Sequence, residues 1–137
     1  MKQYTFIIPG QLPGLNEIIE ADRSNKYSGA KMKKKNTEDI VWIIKANKIP
    51  KHDRIGLRIA FYEMSKRRDK DNIMAGQKFI LDGLVMAGII KNDGWVEINE
   101  LIYEFHVDKS NPRVEVTLWE STEEEYLHHE RAGIKGE

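Results

Sequence analysis

Residues 55–88 read IGLRIAFYEMSKRRDKDNIMAGQKFILDGLVMAG, and the fold class turns on them. Ile55–Glu63 (IGLRIAFYE) alternates apolar and polar residues and is rich in β-branched and aromatic types, which predicts a strand. From Asn72 to about Ala87 the period changes. At about 100° per residue, Ile73, Ile80, Leu81, Leu84 and Val85 gather on one side, as a helix requires, and Gly88 is a natural stop just past its end. Between strand and helix lies KRRDKDN (66–72), three cations running into two aspartates one residue apart.

Working outward, Gln3–Ile8 predicts a strand that stops at Pro9-Gly10. Gly10 to Lys34, punctuated by Pro13, Gly14 and Gly29, reads as a long loop with at most a short helix around Leu15–Ile19. A helix is expected from about Thr37 to Asn47, with Asn36 as N-cap, Glu38 and Asp39 in the first turn and Lys45 near the end. Pro50 ends it. Downstream, Asn92-Asp93-Gly94 is a turn, and Glu97–Val107 and Arg113–Trp119 read as two strands joined in a hairpin. The order is β-α-β-α-β-β, an α+β single domain with helices packed on a small mixed sheet. Residues 1–119 form this domain, and 120–137 a charged extension, helical or loose.

The chain of 137 residues is long enough for one core without staples. It has no cysteine, which excludes disulfides, thiolate zinc sites and cysteine nucleophiles. No apolar run approaches the roughly 18 residues of a membrane span, and the N-terminus lacks a signal-peptide apolar region; a soluble, cytoplasmic protein is expected. The net charge of zero hides a separation: residues 1–119 carry 20 Lys/Arg against 16 Asp/Glu, and residues 120–137 carry 2 against 6. Arg23 to Lys35 holds six cations, Lys33, Lys34 and Lys35 among them, and no acid. Such a run is either a solvated loop or a phosphate-binding arm.

Asp69 and Asp71 admit two readings. If the strand continues extended through Lys70, both side chains point to one side. Converging carboxylates repel unless a cation lies between them, and Mg²⁺ favours one or two carboxylates completed by water and substrate phosphate. Alternatively, one of them simply caps the helix that starts near Asn72. A calcium loop fails, because the positions that need Gly and Glu hold Met74 and Ile80. On a helix from Asp71, Lys78 and Asp82 fall on the same stripe. Asp93, in the turn after that helix, has a plain Asp-Gly turn as its ordinary explanation. The four histidines are scattered, and no P-loop, nucleophile elbow or dinucleotide-binding glycine pattern occurs.

Taken together, KRRDKDN (66–72), KFILDGLVMAGII (78–90) and NDGWV (92–96) resemble the RusA-type Holliday-junction resolvases, a family of small endodeoxyribonucleases common in prophages. The resemblance covers most of residues 3–119. That family carries basic residues before D-x-D-N, then K-x-x-x-D on a helix, then an aspartate in the next turn. The resemblance implies metal binding by Asp69, Asp71 and Asp93, with Lys78 in the active site. It implies DNA contacts by Lys66, Arg67, Arg68 and Asn72, and by Asn16 in Pro13-Gly14-Leu15-Asn16. Lys70 and the cations Lys33, Lys34 and Lys35 would neutralise flanking phosphates. Between Asn72 and Lys78 the chain is three residues longer than the shorter family spacing, and Asn92 stands where many relatives have a second aspartate.

The expected activity is therefore Mg²⁺-dependent (Mn²⁺ as the alternative) hydrolysis of paired phosphodiester bonds in a four-way junction by a homodimer with no organic cofactor. Two alternatives remain: a nuclease for other branched or flap DNA, and a junction-binding module without catalysis.

Overall fold

The structure, a computed structural model, describes residues 2–122. Its sheet is built from four strands: β1 (Gln3–Pro9), β2 (Ile55–Glu63), β3 (Ile98–Val107) and β4 (Arg113–Glu120). They lie in the order β1-β4-β2-β3, with β4 antiparallel to both β1 and β2, and β3 parallel to β2. The helices are α1 (Leu15–Ser24), α2 (Lys26–Ala46), α3 (Lys70–Met74) and α4 (Gln77–Met86). The α+β class and the mixed sheet are as expected. Residues 123–137, most of the expected charged extension, lie outside the described residues; Ser121 is buried, its N–H donating to Arg54 O.

The period-2 pattern places one face of each strand in the core. Phe6 and Ile8 of β1, Leu57, Ile59 and Phe61 of β2, and Val114, Val116 and Leu118 of β4 are all buried, in matched register. Against them pack Ile40 and Ile44 of α2, Ile73 of α3, and Phe79, Ile80 and Leu84 of α4. The opposite face is polar and partly exposed: the Thr5 and Thr117 hydroxyls hydrogen-bond at 3.0 Å, and the Arg113 guanidinium lies 3.9 Å from the centre of the Tyr62 ring. On that face the Trp119 indole covers Gly56 so closely that a methyl there would overlap the ring. Gly56→Ala is accordingly expected to cost about 1–3 kcal/mol through overpacking, read as a lower urea midpoint at unchanged m-value.

Three expectations are corrected. First, the supposed loop 10–34 is helical from Leu15 onward, apart from Asn25. Asn25 separates α1 from α2 and caps α2 by accepting from Ser28 N–H at 2.8 Å. Asn36, expected as an N-cap, sits inside α2 and donates to Met32 O at 2.9 Å. Lysine-rich sequence has good helix propensity, and only from Thr37 onward does α2 show the buried stripe Thr37, Ile40, Val41, Ile44. Secondly, the helix expected over 72–87 is broken at Ala75-Gly76 into α3 and α4. Its end is as predicted: Gly88 has φ 77°, its N–H donates to Val85 O at 3.0 Å, and Ile89 N–H donates to Leu84 O at 2.9 Å, a Schellman stop.

Thirdly, β3 and β4 do not form a hairpin, because β2 lies between them. The chain returns from α4 to lay β3 parallel to β2, then crosses the end of β2 through residues 108–112. Arg113 holds this crossing, reaching Asp108 at 2.8 Å, Glu115 at 2.7 Å and Asn111 O at 2.9 Å. Hydrogen bonds from Arg113 and then Ser110 keep the Asp108 carboxyl below its ordinary range. A depressed carboxyl pKa stabilises the fold above its unfolded value of about 3.9, and that contribution is lost as the pH falls through the folded value.

Candidate functional site

β2 and β3 run parallel and end together at Glu63 and Val107. Beyond these carboxyl ends lies an open pocket of about 770 Å³, lined by the 63–73 segment (including Glu63, Lys66, Asp69 and Asp71) and by Phe105 and His106 of β3. Carboxyl ends of parallel strands are where ligands bind in open α/β sheets.

The wall of this pocket is fixed by a residue the sequence reading did not single out. Glu63 continues the buried parity of Ile55, Leu57, Ile59 and Phe61, so its carboxylate is carried inward, and its side chain is only 4% exposed. It is satisfied there by Arg68 Nε at 2.9 Å, Arg68 Nη2 at 3.0 Å and Gln11 Nε2 at 2.6 Å. The Nη1 of Arg68 donates further to Leu12 O at 3.1 Å and to Glu17 at 3.2 Å. Asn72, four residues further on, accepts from Asn16 N–H at 3.0 Å and so caps α1 from a distance. A Cβ at Gly14 would stand 2.6 Å from Asn72 Oδ1 and 2.8 Å from Arg68 Nη1, so only glycine lets the α1 entry approach this closely. Arg68, Asn72 and Asn16, expected at DNA, thus make structural contacts with one another's elements. An acid on the buried parity of a strand was the signal that pointed to Glu63.

With the segment braced in this way, Asp69 and Asp71 both reach the pocket. The strand does not continue through Lys70 as one reading required; instead Asp69 occupies the N-cap position of α3, with φ −68° and ψ 156°, and Asp71 lies in its first turn. An N-cap aspartate normally accepts from the first-turn N–H groups. Asp69 makes no such bond. Neither carboxylate hydrogen-bonds or ion-pairs with any of the described residues. Lys66, Arg67 and Lys70 are exposed around them, Lys70 resting 5.6 Å from the centre of the Phe105 ring.

The other expected residues lie elsewhere. The break at Ala75-Gly76 removes the continuous stripe from Asp71 to Asp82. Lys78 Nζ instead stands 3.2 Å from Asp82 Oδ1, and Lys33 reaches the same carboxylate at 3.6 Å, joining α2 to α4. Lys35 pairs with Asp39 at 3.1 Å, and Lys34 is exposed. Asp93 precedes β3, in a turn where Ile98 N–H donates to Gly94 O and Ile55 N–H to Glu97 O. That is the amino end of the parallel pair. Nine residues of β2 separate it from Glu63, about 27–30 Å at strand rise, so one chain does not bring Asp93 to Asp69 and Asp71. Among the described residues no three His, Asp or Glu side chains gather as a ready-made metal cluster, and no helix is long and apolar enough to cross a membrane.

Two free carboxylates facing one open pocket nonetheless match the donor set of Mg²⁺, which takes one or two protein carboxylates and completes its shell with water and substrate phosphate. Compared with models of protein families and with curated proteins, the chain matches none.

Proposed function

We propose that this chain is a metal-dependent endodeoxyribonuclease acting on branched DNA, with the four-way junction as its substrate. The observation that carries the reading is the pair Asp69 and Asp71, unpartnered on the pocket that Lys66 and Lys70 also line, with the exposed Arg67 between them in sequence. The resemblance of KRRDKDN and the segments after it to the RusA-type resolvases supplies the substrate class.

In this reading Asp69 and Asp71 hold Mg²⁺, or Mn²⁺, which when bound polarises the scissile phosphate and lowers the pKa of the attacking water. The carboxylates would otherwise repel a phosphodiester. Lys66, Arg67 and Lys70 offset them locally and seat the phosphates on either side of the cut. Arg68, engaged by Glu63, holds the segment rather than the DNA. Lys78, paired with Asp82, acts at a distance from the pocket or not at all.

The difference between these cations is measurable. Alanine at Lys66, Arg67 or Lys70 should each lower the slope of log affinity against log salt by about 1, without changing thermal stability. Arg68→Ala should instead lower stability.

The direct test is strand cleavage of a synthetic four-way junction, a linear duplex and a flap, with Mg²⁺ and with EDTA. Paired nicks on the junction that vanish in EDTA are expected. Preferential cutting of the flap would move the substrate to other branched DNA. That no three-carboxylate cluster forms among the described residues favours a second reading, a junction-binding module without catalysis. Tight junction binding with no nick in Mg²⁺ or Mn²⁺ would establish that reading instead.

A further inference from the structure

The outward face of α2 is built unlike the rest of the surface. At about 100° per residue, Tyr27, Lys31, Lys34, Glu38, Trp42 and Lys45 fall within about 80° of arc, and all six are exposed. They lie clear of the buried stripe of α2. That stripe is held tightly: a Cβ at Gly83 of α4 would stand 2.8 Å from Ile40 Cγ2. Tyr27 is 73% exposed and Trp42 72%. One exposed aromatic side chain needs no explanation. Two on a single helix face, with lysines between them, form a pattern.

The charges of this face are also open. Glu38 is the only acid among the six. Lys35, at the border, is engaged by Asp39 at 3.1 Å, but no described residue pairs with Lys31, Lys34 or Lys45. The Lys26 ammonium stands 5.4 Å from the centre of the Tyr27 ring. The cations of the uncovered sheet face, by contrast, are taken up: Arg58 lies 4.0 Å from Glu104, and Arg113 is held by Asp108 and Glu115.

We infer that this face of α2 is a track for single-stranded nucleic acid, on which Tyr27 and Trp42 stack with unpaired bases while Lys31, Lys34 and Lys45 seat the phosphates. Aromatic side chains on a basic groove or ridge are how proteins hold a single strand without reading its sequence. A duplex keeps its base faces stacked inside and has nothing to offer the two rings. Along the helix Tyr27 and Trp42 are about 22 Å apart, the length of about six nucleotides at roughly 3.4 Å each. A membrane surface fits less well, because an interfacial helix buries a continuous apolar face and that face of α2, with Ile40, Val41 and Ile44, is already in the core. A protein partner fits less well too, since the cores of such interfaces are depleted of lysine. The inference goes beyond the nuclease reading and does not rest on it: the strand binds here whether or not Asp69 and Asp71 cut DNA.

The test is fluorescence anisotropy of labelled thymidine and uridine oligonucleotides of about ten nucleotides, and of a duplex of equal length, with the full chain in EDTA. Trp42→Ala and Tyr27→Ala should each weaken single-strand binding by about tenfold, the scale of one stacked base, and duplex binding by less than about twofold. Trp42→Phe keeps a ring face and should recover most of the loss, and all three variants should melt with the parent. Alanine at Lys31, Lys34 or Lys45 should each flatten the salt slope of single-strand binding by about 0.7. A loss on either oligonucleotide supports the track, and the one held more tightly names its sugar. Unchanged single-strand affinity in both aromatic variants overturns the inference, and so does an equal loss on the duplex, which would leave only a basic surface. Trp42-dependent binding to phosphatidylserine vesicles, with no oligonucleotide bound, would make the face a membrane contact instead. With no metal present, each of these outcomes is independent of whether the protein cleaves a junction.

Discussion

Asp71→Asn is expected to lower metal-dependent cleavage of a four-way junction by about 10³-fold, the scale on which loss of one transition-state-stabilising group acts. Folding should be almost untouched. Asp71 is exposed and no described residue hydrogen-bonds its carboxylate, and substitutions away from such contacts usually fall within about ±0.5 kcal/mol. Asparagine keeps the shape and one oxygen and removes only the charge that a cation needs. Asp69→Asn should behave alike, and the double variant little worse than either, because groups that hold one ion act as a unit. Metal-free junction binding should persist or tighten, since a negative charge beside the phosphates has gone. Cleavage within tenfold of the parent would remove the metal site from these residues. A parallel fall in melting temperature would instead make Asp71 structural.

Arg68→Ala should produce the largest loss of stability. Glu63 is almost wholly enclosed, and Arg68, 20% exposed, is its ion-pair partner and donates it two hydrogen bonds. Removing one member of a buried pair strands the other and costs about 3–5 kcal/mol, a large share of the 5–15 kcal/mol that ordinarily holds a domain together. For a chain of this size the melting temperature should fall by about 10 °C or more. If stranded charge is the cause, Glu63→Met combined with Arg68→Met should recover most of the loss, though not the bonds from Arg68 to Leu12 O and Glu17. A double variant no better than Arg68→Ala would assign the cost to those latter contacts. Calorimetry on the two variants decides between them.

Elements whose signal is local were legible in the sequence. The alternation of β2, the aromatic and β-branched β1 and β4, and the glycine stop at Gly88 are set by residues near one another in the chain. α1 was legible only in part, as the short helix around Leu15–Ile19: its apolar residues Leu15, Ile18 and Ile19 span little more than one turn and none is buried. The first half of α2 escaped for a similar reason: its helix is held by the Asn25 cap and lysine propensity rather than by burial. The false hairpin is a failure of a different kind. Five residues between two strands satisfy a hairpin locally, and nothing nearby tells that β2 already occupies the space between them. The site divides along the same line. Asp69 and Asp71 were visible because two residues cannot be far apart. The distance of Asp93 depended on whether β3 runs with β2 or against it, and no local pattern carries that.

The position of β4 also orders events in time. It is the last of the four described strands to be synthesised, yet it lies inside the sheet, between β1 and β2, and pairs with both. A nascent chain halted before Arg113 can lay β3 along β2, but its first strand has nothing to pair with. Such distant pairings are slow to form and leave strand edges open meanwhile. While the ribosome still holds residues 113–120, β1 and α1 have no finished sheet to dock on. The brace from Arg68 to Leu12 and Glu17 therefore closes late, and with it the pocket. Any cleavage activity is withheld until the whole domain has emerged.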